Sequence, residues 1–227
     1  MTTSSSLTAV DSELSPEPST AARSRWLFTG DSITEWGRGD NTDPHDLGQN
    51  YVSALAAGPL AAESEAVEVL NTGVGGDRLA DLAARWSHDV LDLNPDLLSV
   101  YIGVNDTWRW YDSGLLSPTD LFREQLASLL APLAEAGTQL VLVSPFVLPA
   151  LGEDRDWAED LEPRISAIEA VASWLGAVYV PLQEPMEALA DEVGAAAVAA
   201  DGVHPTPAGH RLIADQWWRA WTDAHSR

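Results

Sequence analysis

The sequence lacks cysteine and lysine, and it has no long apolar run. Without cysteine the chain forms no disulfide, offers no thiol nucleophile and has no thiolate ligand for a metal. No apolar run approaches the roughly 18 residues of a membrane span, so we expect no spanning segment. Residues 1–23 have neither the basic start nor the apolar core of a signal peptide. We therefore predict a disordered tail at 1–23 and a cytoplasmic location.

Positive charge is scarce, because 12 basic residues, all arginine, stand against 35 acidic ones, for a formal net charge of −23. Such a surface repels phosphate backbones, so we expect no nucleic-acid partner. The hydrophobic fraction of 45% is typical of a globular protein. With 227 residues, the chain is long enough for one substantial domain, which we place at residues 24–227. Both a monomer and an oligomer are compatible with this composition.

Short apolar runs alternate with longer stretches of helical periodicity. Continuous apolar runs are typical of parallel strands covered on both faces, and the alternation predicts an α/β fold. The predicted strands are 26–28, 67–70, 97–102, 140–143 and 177–180. The predicted helices are 50–57, 78–91, 121–136, 161–175 and 207–224.

Two helix starts and one helix end carry clear signals. Ser117 is predicted to cap a helix whose first position is Pro118 and which Gly137 ends. Thr206 is predicted to cap the last helix, with Pro207 at its first position.

A glycine, an acid and a serine follow the first predicted strand, at Gly30-Asp31-Ser32. Ligands bind at the carboxyl ends of the strands in open α/β sheets, so Ser32 is a candidate nucleophile. A serine after a strand is also common in ordinary turns. Its function therefore depends on partners further along the chain.

Three glycines follow the second predicted strand, within residues 71–78. We exclude a dinucleotide loop, because the third glycine of that fingerprint and the acid about 20 residues later are missing. Backbone N–H groups of a glycine-rich turn can still approach a developing negative charge closely. After the third strand, Asn105 can donate a hydrogen bond to the same charge without carrying charge itself. Considered alone, Asn105-Asp106 favours a simple turn.

Asp201 and His204 precede the last predicted helix, three positions apart in one loop. A carboxylate at this spacing can hold one imidazole nitrogen, so that the other nitrogen accepts a proton. The other histidines lack such a companion: we expect a solvated His88, a loop position for His45, a helical His210 and a frayed His225.

Four motifs in this order resemble blocks I, II, III and V of the SGNH (GDSL-type) hydrolases. They are GDSIT at 30–34, NTGVGGDR at 71–78, GVND at 103–106 and DGVHPTPAGH at 201–210. Ile33 replaces the leucine of the GDSL name, a change that affects no catalytic atom. Within that superfamily, the chain is similar to the lysophospholipase L1-like and acetylxylan-esterase-like branch. This resemblance implies a three-layer α/β/α sandwich with a flavodoxin-like parallel sheet of about five strands.

The resemblance also implies a role for each site residue. Ser32 would be the nucleophile, His204 the general base and Asp201 the residue that orients it. The Ser32 and Gly76 N–H groups and the Asn105 side chain would form the oxyanion hole. No cofactor and no metal is expected.

Aromatic and charged side chains next to these motifs are candidate substrate-binding residues: Asp31, Trp36, Arg78, Trp108 and Arg109. Aromatic rings stack on sugars or line acyl pockets, but they also simply cap a core. Asp31 and Asp106 are expected to brace their loops by local hydrogen bonds rather than to take part in the chemistry.

The favoured hypothesis is a serine esterase that forms an acyl-enzyme and hydrolyses small-molecule esters, preferably short acetyl esters of carbohydrates. A lysophospholipase or thioesterase for longer acyl chains is the alternative. A non-catalytic carbohydrate-binding relative has no need of the complete Ser32, Gly76, Asn105 and His204 set. A metal hydrolase that uses Asp31, Asp106, Asp201 and His204 lacks a tight ligand pattern.

Overall fold

All five predicted apolar runs become strands in the computed structural model of the chain, which describes residues 23–63, 65–149 and 157–226. The strands are β1 Ser24–Gly30, β2 Val67–Asn71, β3 Leu97–Tyr101, β4 Gln139–Val143 and β5 Val178–Val180. Among the strands, the largest difference from the prediction is in β1, which is extended at both ends because its backbone pairs with neighbours on both sides. Except for Arg23, the predicted tail lies outside the described residues.

The strands form one parallel sheet in the order β2-β1-β3-β4-β5. This is the flavodoxin-like order that the sequence motifs implied. Trp26 pairs with Val69 on one side and with Leu97 on the other, so β1 lies inside the sheet. The strand order reverses between β1 and β3, and ligands bind at such switch points. The loops that carry Ser32 and Asn105 both leave the sheet there.

Helices connect the strands and cover both faces of the sheet. They are α1 Ser32–Glu35, α2 Tyr51–Ala57, α3 Leu79–Trp86, α4 Val104–Ser113, α5 Thr119–Glu135, α6 Ala158–Leu175, α7 Gln183–Val193, α8 Ala195–Val198 and α9 Pro207–His225. Helix α3 continues into a wider turn at Ser87–Leu91. Across the described part of the chain, no helix combines the length and the apolar character needed to cross a membrane.

Alternate strand residues fill two separate cores. Trp26 and Phe28 point to one face, where α2, α7 and α9 pack, and Trp217 of α9 is fully buried there. Leu27 points to the other face, where α3, α5 and α6 pack around Leu126. Because successive side chains of a strand point to opposite sides, continuous apolar runs are what a doubly covered sheet requires.

The predicted N-cap is right for the last helix and wrong for α5, whereas α5 ends before Gly137, as predicted. Thr206 accepts hydrogen bonds from the N–H groups of Ala208 and Gly209, as predicted. Ser117 does not cap α5: its hydroxyl donates to the Asp106 carboxylate at 2.6 Å, and Pro118 takes the N-cap position. The Ser117 side chain is turned toward Asp106 because that buried carboxylate requires hydrogen-bond donors.

Candidate active site

Ser32 lies at the start of α1, immediately beyond the end of β1. Gly30 has φ +155°, and a Cβ atom there would lie 2.0 Å from the Tyr101 carbonyl oxygen, so only glycine allows this close strand contact. Asp31 caps α1 by accepting from the Ile33 N–H at 3.0 Å. The Ser32 N–H has no acceptor among the described residues, since it lies in the unpaired first turn of the helix.

Ser32, His204 and Asp201 form a continuous chain of hydrogen bonds. The Ser32 Oγ lies 2.9 Å from the His204 Nε2, and the His204 Nδ1 lies 2.6 Å from the Asp201 Oδ2. The other carboxylate oxygen of Asp201 accepts from the N–H groups of Val203 and His204. The acid is therefore held by its own loop, and in turn it holds the imidazole toward the serine.

Hydrogen bonding determines the charge state of Asp201. Burial would raise the pKa of this carboxyl, but the His204 ring and two backbone N–H groups outweigh burial and lower the pKa below its ordinary value. An ionised carboxylate can only accept hydrogen bonds, so the His204 Nδ1 carries the proton. The His204 Nε2 is then free to accept the Ser32 hydroxyl proton.

Two further hydrogen-bond donors lie beside Ser32. Gly76 has φ +81°, a conformation that favours glycine, and its N–H has no acceptor among the described residues. The Asn105 side-chain amide donates one proton to the Asp77 carbonyl at 3.1 Å, which orients the amide and leaves its second proton for a ligand. Asn105 lies in the first turn of α4, so the simple turn considered at this position is wrong.

A cavity of about 400 Å³ brings these groups together. Its lining residues are Ser32, Gly76, Asn105, Trp108, Arg109, Asp112 and His204. Two predicted substrate-binding residues, Trp108 and Arg109, are among them. Trp36 lies at the rim, with its ring centroid 5.7 Å from that of His204. The sequence did not identify Asp112 as a cavity residue, because α4 was not predicted. In the helix, Asp112 lies two turns after Asn105 on the same face.

Two other predicted substrate-binding residues do not line the cavity. Asp31 is fully buried, and burial raises the pKa of its carboxyl from 3.8 to about 7, although the bond from Ile33 lowers it. It cannot contact a ligand in this conformation and instead braces the Ser32 turn. Arg78 turns its guanidinium to the Asp81 carboxylate at 2.9 Å, within its own helix start.

Arg85 was not identified from the sequence, yet it ties the strand ends together beneath the site. Its guanidinium donates to the backbone carbonyls of Gly30 and Thr72 and to the Asp77 carboxylate, the last at 2.6 Å. It thereby links the strand end before Ser32 to the loop of Gly76. The only sequence signal for this role was that Arg85 lies in a predicted helix, eight residues after Asp77.

Asp106 fastens the two elements that carry Gly76 and Asn105. Its carboxylate accepts from the Leu79 N–H at the start of α3 and from the Ser117 hydroxyl after α4. Asp31 thus braces its own turn, Asp106 links the start of α3 to the segment after α4, and neither bonds to Asp201 or His204 among the described residues. The described residues contain no cluster of three or more His, Asp or Glu side chains arranged to hold a metal ion.

The remaining histidines occupy different environments. His210 is buried on α9, where burial lowers the pKa of its imidazole to about 4, and neither ring nitrogen has a partner among the described residues. The Trp36 ring contacts both the His210 and His204 rings. The His88 side chain is 87% exposed, which confirms the solvated position expected for it.

Comparisons with known proteins agree with this geometry. The profile of the GDSL-like Lipase/Acylhydrolase family matches residues 28–212. An acetylxylan esterase of Geobacillus stearothermophilus is 30% identical over 202 residues, which cover 85% of this chain and 91% of that protein.

Two solved structures have the same fold over most of the chain. Axe2, an acetylxylan esterase from Geobacillus stearothermophilus, has a TM-score of 0.77 at 29% identity, covering 88% of this chain and 95% of that one. LAE5, an alpha/beta hydrolase enzyme from the metagenome of Lake Arreo, Spain, has a TM-score of 0.80 at 28% identity with the same coverage.

Proposed function

Because the chain belongs to the GDSL-like lipase/acylhydrolase family and is an ester hydrolase, we propose that it removes acetyl groups from the hydroxyls of carbohydrates. The observation that carries this proposal is the hydrogen-bonded chain of Ser32, His204 and Asp201, which opens into a cavity of about 400 Å³. The similarity to an acetylxylan esterase over most of both chains supports the same substrate class.

In the proposed reaction, the Ser32 Oγ attacks the ester carbonyl carbon while the His204 Nε2 takes the hydroxyl proton. The Asp201 carboxylate keeps the Nδ1 proton in place and stabilises the imidazolium that forms. The carbonyl oxygen becomes an oxyanion, which the N–H groups of Ser32 and Gly76 and the second amide proton of Asn105 stabilise.

The tetrahedral intermediate then breaks its bond to the sugar oxygen. His204 returns the proton to that oxygen, so the alcohol leaves neutral and Ser32 stays acetylated. A water molecule attacks the acetyl group with His204 again as base, which releases acetate and restores the serine. No redox or carrier group is needed for any of these steps.

The cavity volume supports an acetyl group over a long acyl chain. A volume of about 400 Å³ lies near the lower end of the range for ligand sites, and it must hold the alcohol as well as the acyl group. Its exposed surface is mostly apolar, with Trp108 as the one large apolar side chain among the lining residues, and such a ring can stack on a sugar. Together with the similarity to an acetylxylan esterase, the volume leaves the lysophospholipase and thioesterase alternatives with less support.

The proposal is tested by acid release from a panel of esters. The panel contains short and long nitrophenyl esters, acetylated xylo-oligosaccharide and a lysophospholipid. Wild type is compared with Ser32→Ala and with Ser128→Ala, a control that removes an exposed hydroxyl from α5. We expect acetate release from the saccharide by wild type and Ser128→Ala, and a loss of about 10⁴-fold or more in Ser32→Ala.

Other outcomes separate the alternatives. A preference for the long nitrophenyl ester or the lysophospholipid would replace the carbohydrate ester by a lipid substrate. Turnover that survives in Ser32→Ala would remove Ser32 as the nucleophile. Binding of the saccharide without hydrolysis of any ester would indicate the non-catalytic alternative.

A further inference from the structure

One face of α4 contributes four of the seven residues that line the cavity. They are Asn105, Trp108, Arg109 and Asp112, which occupy positions i, i+3, i+4 and i+7 of the helix. This spacing places side chains in a stripe along one side of a helix. The stripe begins at the proposed oxyanion donor and runs outward for about 10 Å, at 1.5 Å per residue. Its outer end therefore lies beyond the acyl group, where the alcohol part of an ester would bind.

The stripe is held rigidly. The Trp108 ring packs against Trp157 and His204, with centroid distances of 5.3 and 5.9 Å. The end of α4 is closed by Gly114, whose φ is +66° and whose N–H donates to the Trp110 carbonyl at 3.0 Å. A fixed aromatic ring and a capped helix lose little conformational entropy when a ligand binds.

Arg109 and Asp112 place hydrogen-bond donors and acceptors side by side at the outer end of the stripe. The Arg109 Nη1 lies 2.7 Å from the Asp112 Oδ2, and both side chains stay partly exposed, at 41% and 28%. Neighbouring hydroxyls of a sugar ring both donate and accept hydrogen bonds, so they complement a paired guanidinium and carboxylate. The adjacent Trp108 offers an apolar surface for the C–H face of the ring. An unsubstituted alkyl or aryl alcohol has no groups to match the pair.

We propose that Arg109 and Asp112 bind the ring hydroxyls of the sugar whose acetyl group lies at Ser32, and that they select carbohydrate alcohols over simple ones. This inference rests on the proposed function and adds the residues that recognise the alcohol. If the pair only stabilised α4, its loss would not change the choice between alcohols. Exposed i, i+3 ion pairs also contribute little to stability. Asp120 and Arg123 of α5 form an i, i+3 pair of this kind outside the cavity.

The test compares two acetyl esters that differ only in their alcohol: a monoacetylated methyl xyloside and p-nitrophenyl acetate. The values of kcat and KM are measured for wild type, Asp112→Asn and the control Asp120→Asn. In Asp112→Asn, we expect the ratio of the two kcat/KM values, xyloside over nitrophenyl ester, to fall about tenfold. The fall should come mainly from a higher KM for the xyloside. Asp120→Asn should leave both substrates and the ratio unchanged.

The outcomes distinguish this inference from the proposed function. If wild type hydrolyses the xyloside and Asp112→Asn leaves the ratio unchanged, the inference is wrong and the proposed function stands. An equal loss on both esters would also overturn it, because it would indicate damage to the acyl side of the site. If wild type hydrolyses p-nitrophenyl acetate but not the xyloside, the proposed function itself fails, and the inference fails with it.

Discussion

The two edges of the sheet carry cavities of similar size but different chemistry. At the amino ends of β4 and β5, a cavity of about 330 Å³ is lined by residues that include Gln139, Trp221 and His225. His225 there contacts the Trp221 carbonyl and the Gln139 amide. At the carboxyl edge, His204 contacts a carboxylate and a hydroxyl. Cavity size therefore does not identify the active site, whereas the hydrogen-bond partners of the histidine in each cavity do.

The carboxyl edge also differs from the amino edge in its buried groups. Buried polar side chains gather there, among them Asp31, Asn71, Asp77, Asn105 and Asp106. Burial raises the pKa of Asp31, Asp77 and Asp106, since each carboxyl has lost water that its partners replace only in part. Stability alone does not account for these buried polar side chains. Their hydrogen bonds hold the segments that carry Ser32, Gly76 and Asn105 in place.

The strongest test of this comparison exchanges one histidine at each edge for alanine. His204→Ala should lower kcat/KM for p-nitrophenyl acetate by about 10⁴- to 10⁶-fold, because the proposed base is lost. His225→Ala should change it by about twofold or less, since its ring bonds among the described residues only to the Trp221 carbonyl and the Gln139 amide. Residual activity above about one hundredth in His204→Ala would contradict the proposed role.

The cost of burial at the carboxyl edge can be measured through Asp31. Its folded-state pKa of about 7 lies above the unfolded value of 3.8, so the folded state binds the proton more tightly. The stability that comes from this group is fully present below about pH 4 and is lost as pH rises to about 7. Above about pH 7, ionisation of the buried Asp31 lowers the free energy of unfolding of wild type by roughly 4 kcal/mol relative to its value below about pH 4. Asparagine keeps the acceptor for Ile33 but does not ionise.

We therefore expect the free energy of unfolding of Asp31→Asn, relative to wild type, to rise by roughly 3 kcal/mol between about pH 4.5 and 8. Urea unfolding at about pH 4.5, 6 and 8 measures the difference. Asp120→Asn, which changes an exposed carboxyl on α5, is the control. A difference between Asp31→Asn and wild type that stays constant with pH would show that Asp31 is ionised in the fold.

A second comparison of the two edges replaces one carboxamide side chain at each edge by alanine. Asn105→Ala should lower kcat by about 10²- to 10³-fold with little change in KM, because an oxyanion donor acts mainly in the transition state. Gln139→Ala removes an amide from the amino edge and should leave kcat unaltered. A loss of tenfold or less in Asn105→Ala would indicate that the N–H groups of Ser32 and Gly76 suffice.

The smallest expected effect concerns Arg85, which acts on the site through the backbone. Arg85→Met removes the bonds to Gly30, Thr72 and Asp77, and the loops that carry Ser32 and Gly76 should shift slightly. We expect kcat to fall about tenfold, with KM little changed. Arg219→Met, a change on the exposed side of α9, serves as the control. An unaltered kcat in a folded Arg85→Met protein would assign Arg85 to stability only.

Local signals predicted the sheet and the Asp201–His204 pair, and they failed at α4. Apolar runs identify strands because both faces of this sheet are covered. Asp201 and His204 are three residues apart, so their contact needs only a tight loop. Gly103, Asn105 and Asp106 are turn residues by propensity, which concealed a helix. Asp106 instead bonds to Leu79 and Ser117, and these tertiary contacts override the local preference.

The sequence by itself determined the α/β class, and its resemblance to a known family implied the strand order and the candidate residues Ser32, Gly76, Asn105, Asp201 and His204. Only the tertiary structure decided that Ser32 meets His204 across 172 positions of chain. It also decided that Asp31 is buried while Asp112 lines the cavity. The physical reason is that periodicity and spacing encode local geometry. Burial, and with it the pKa and accessibility of a side chain, depends on which distant elements pack against it.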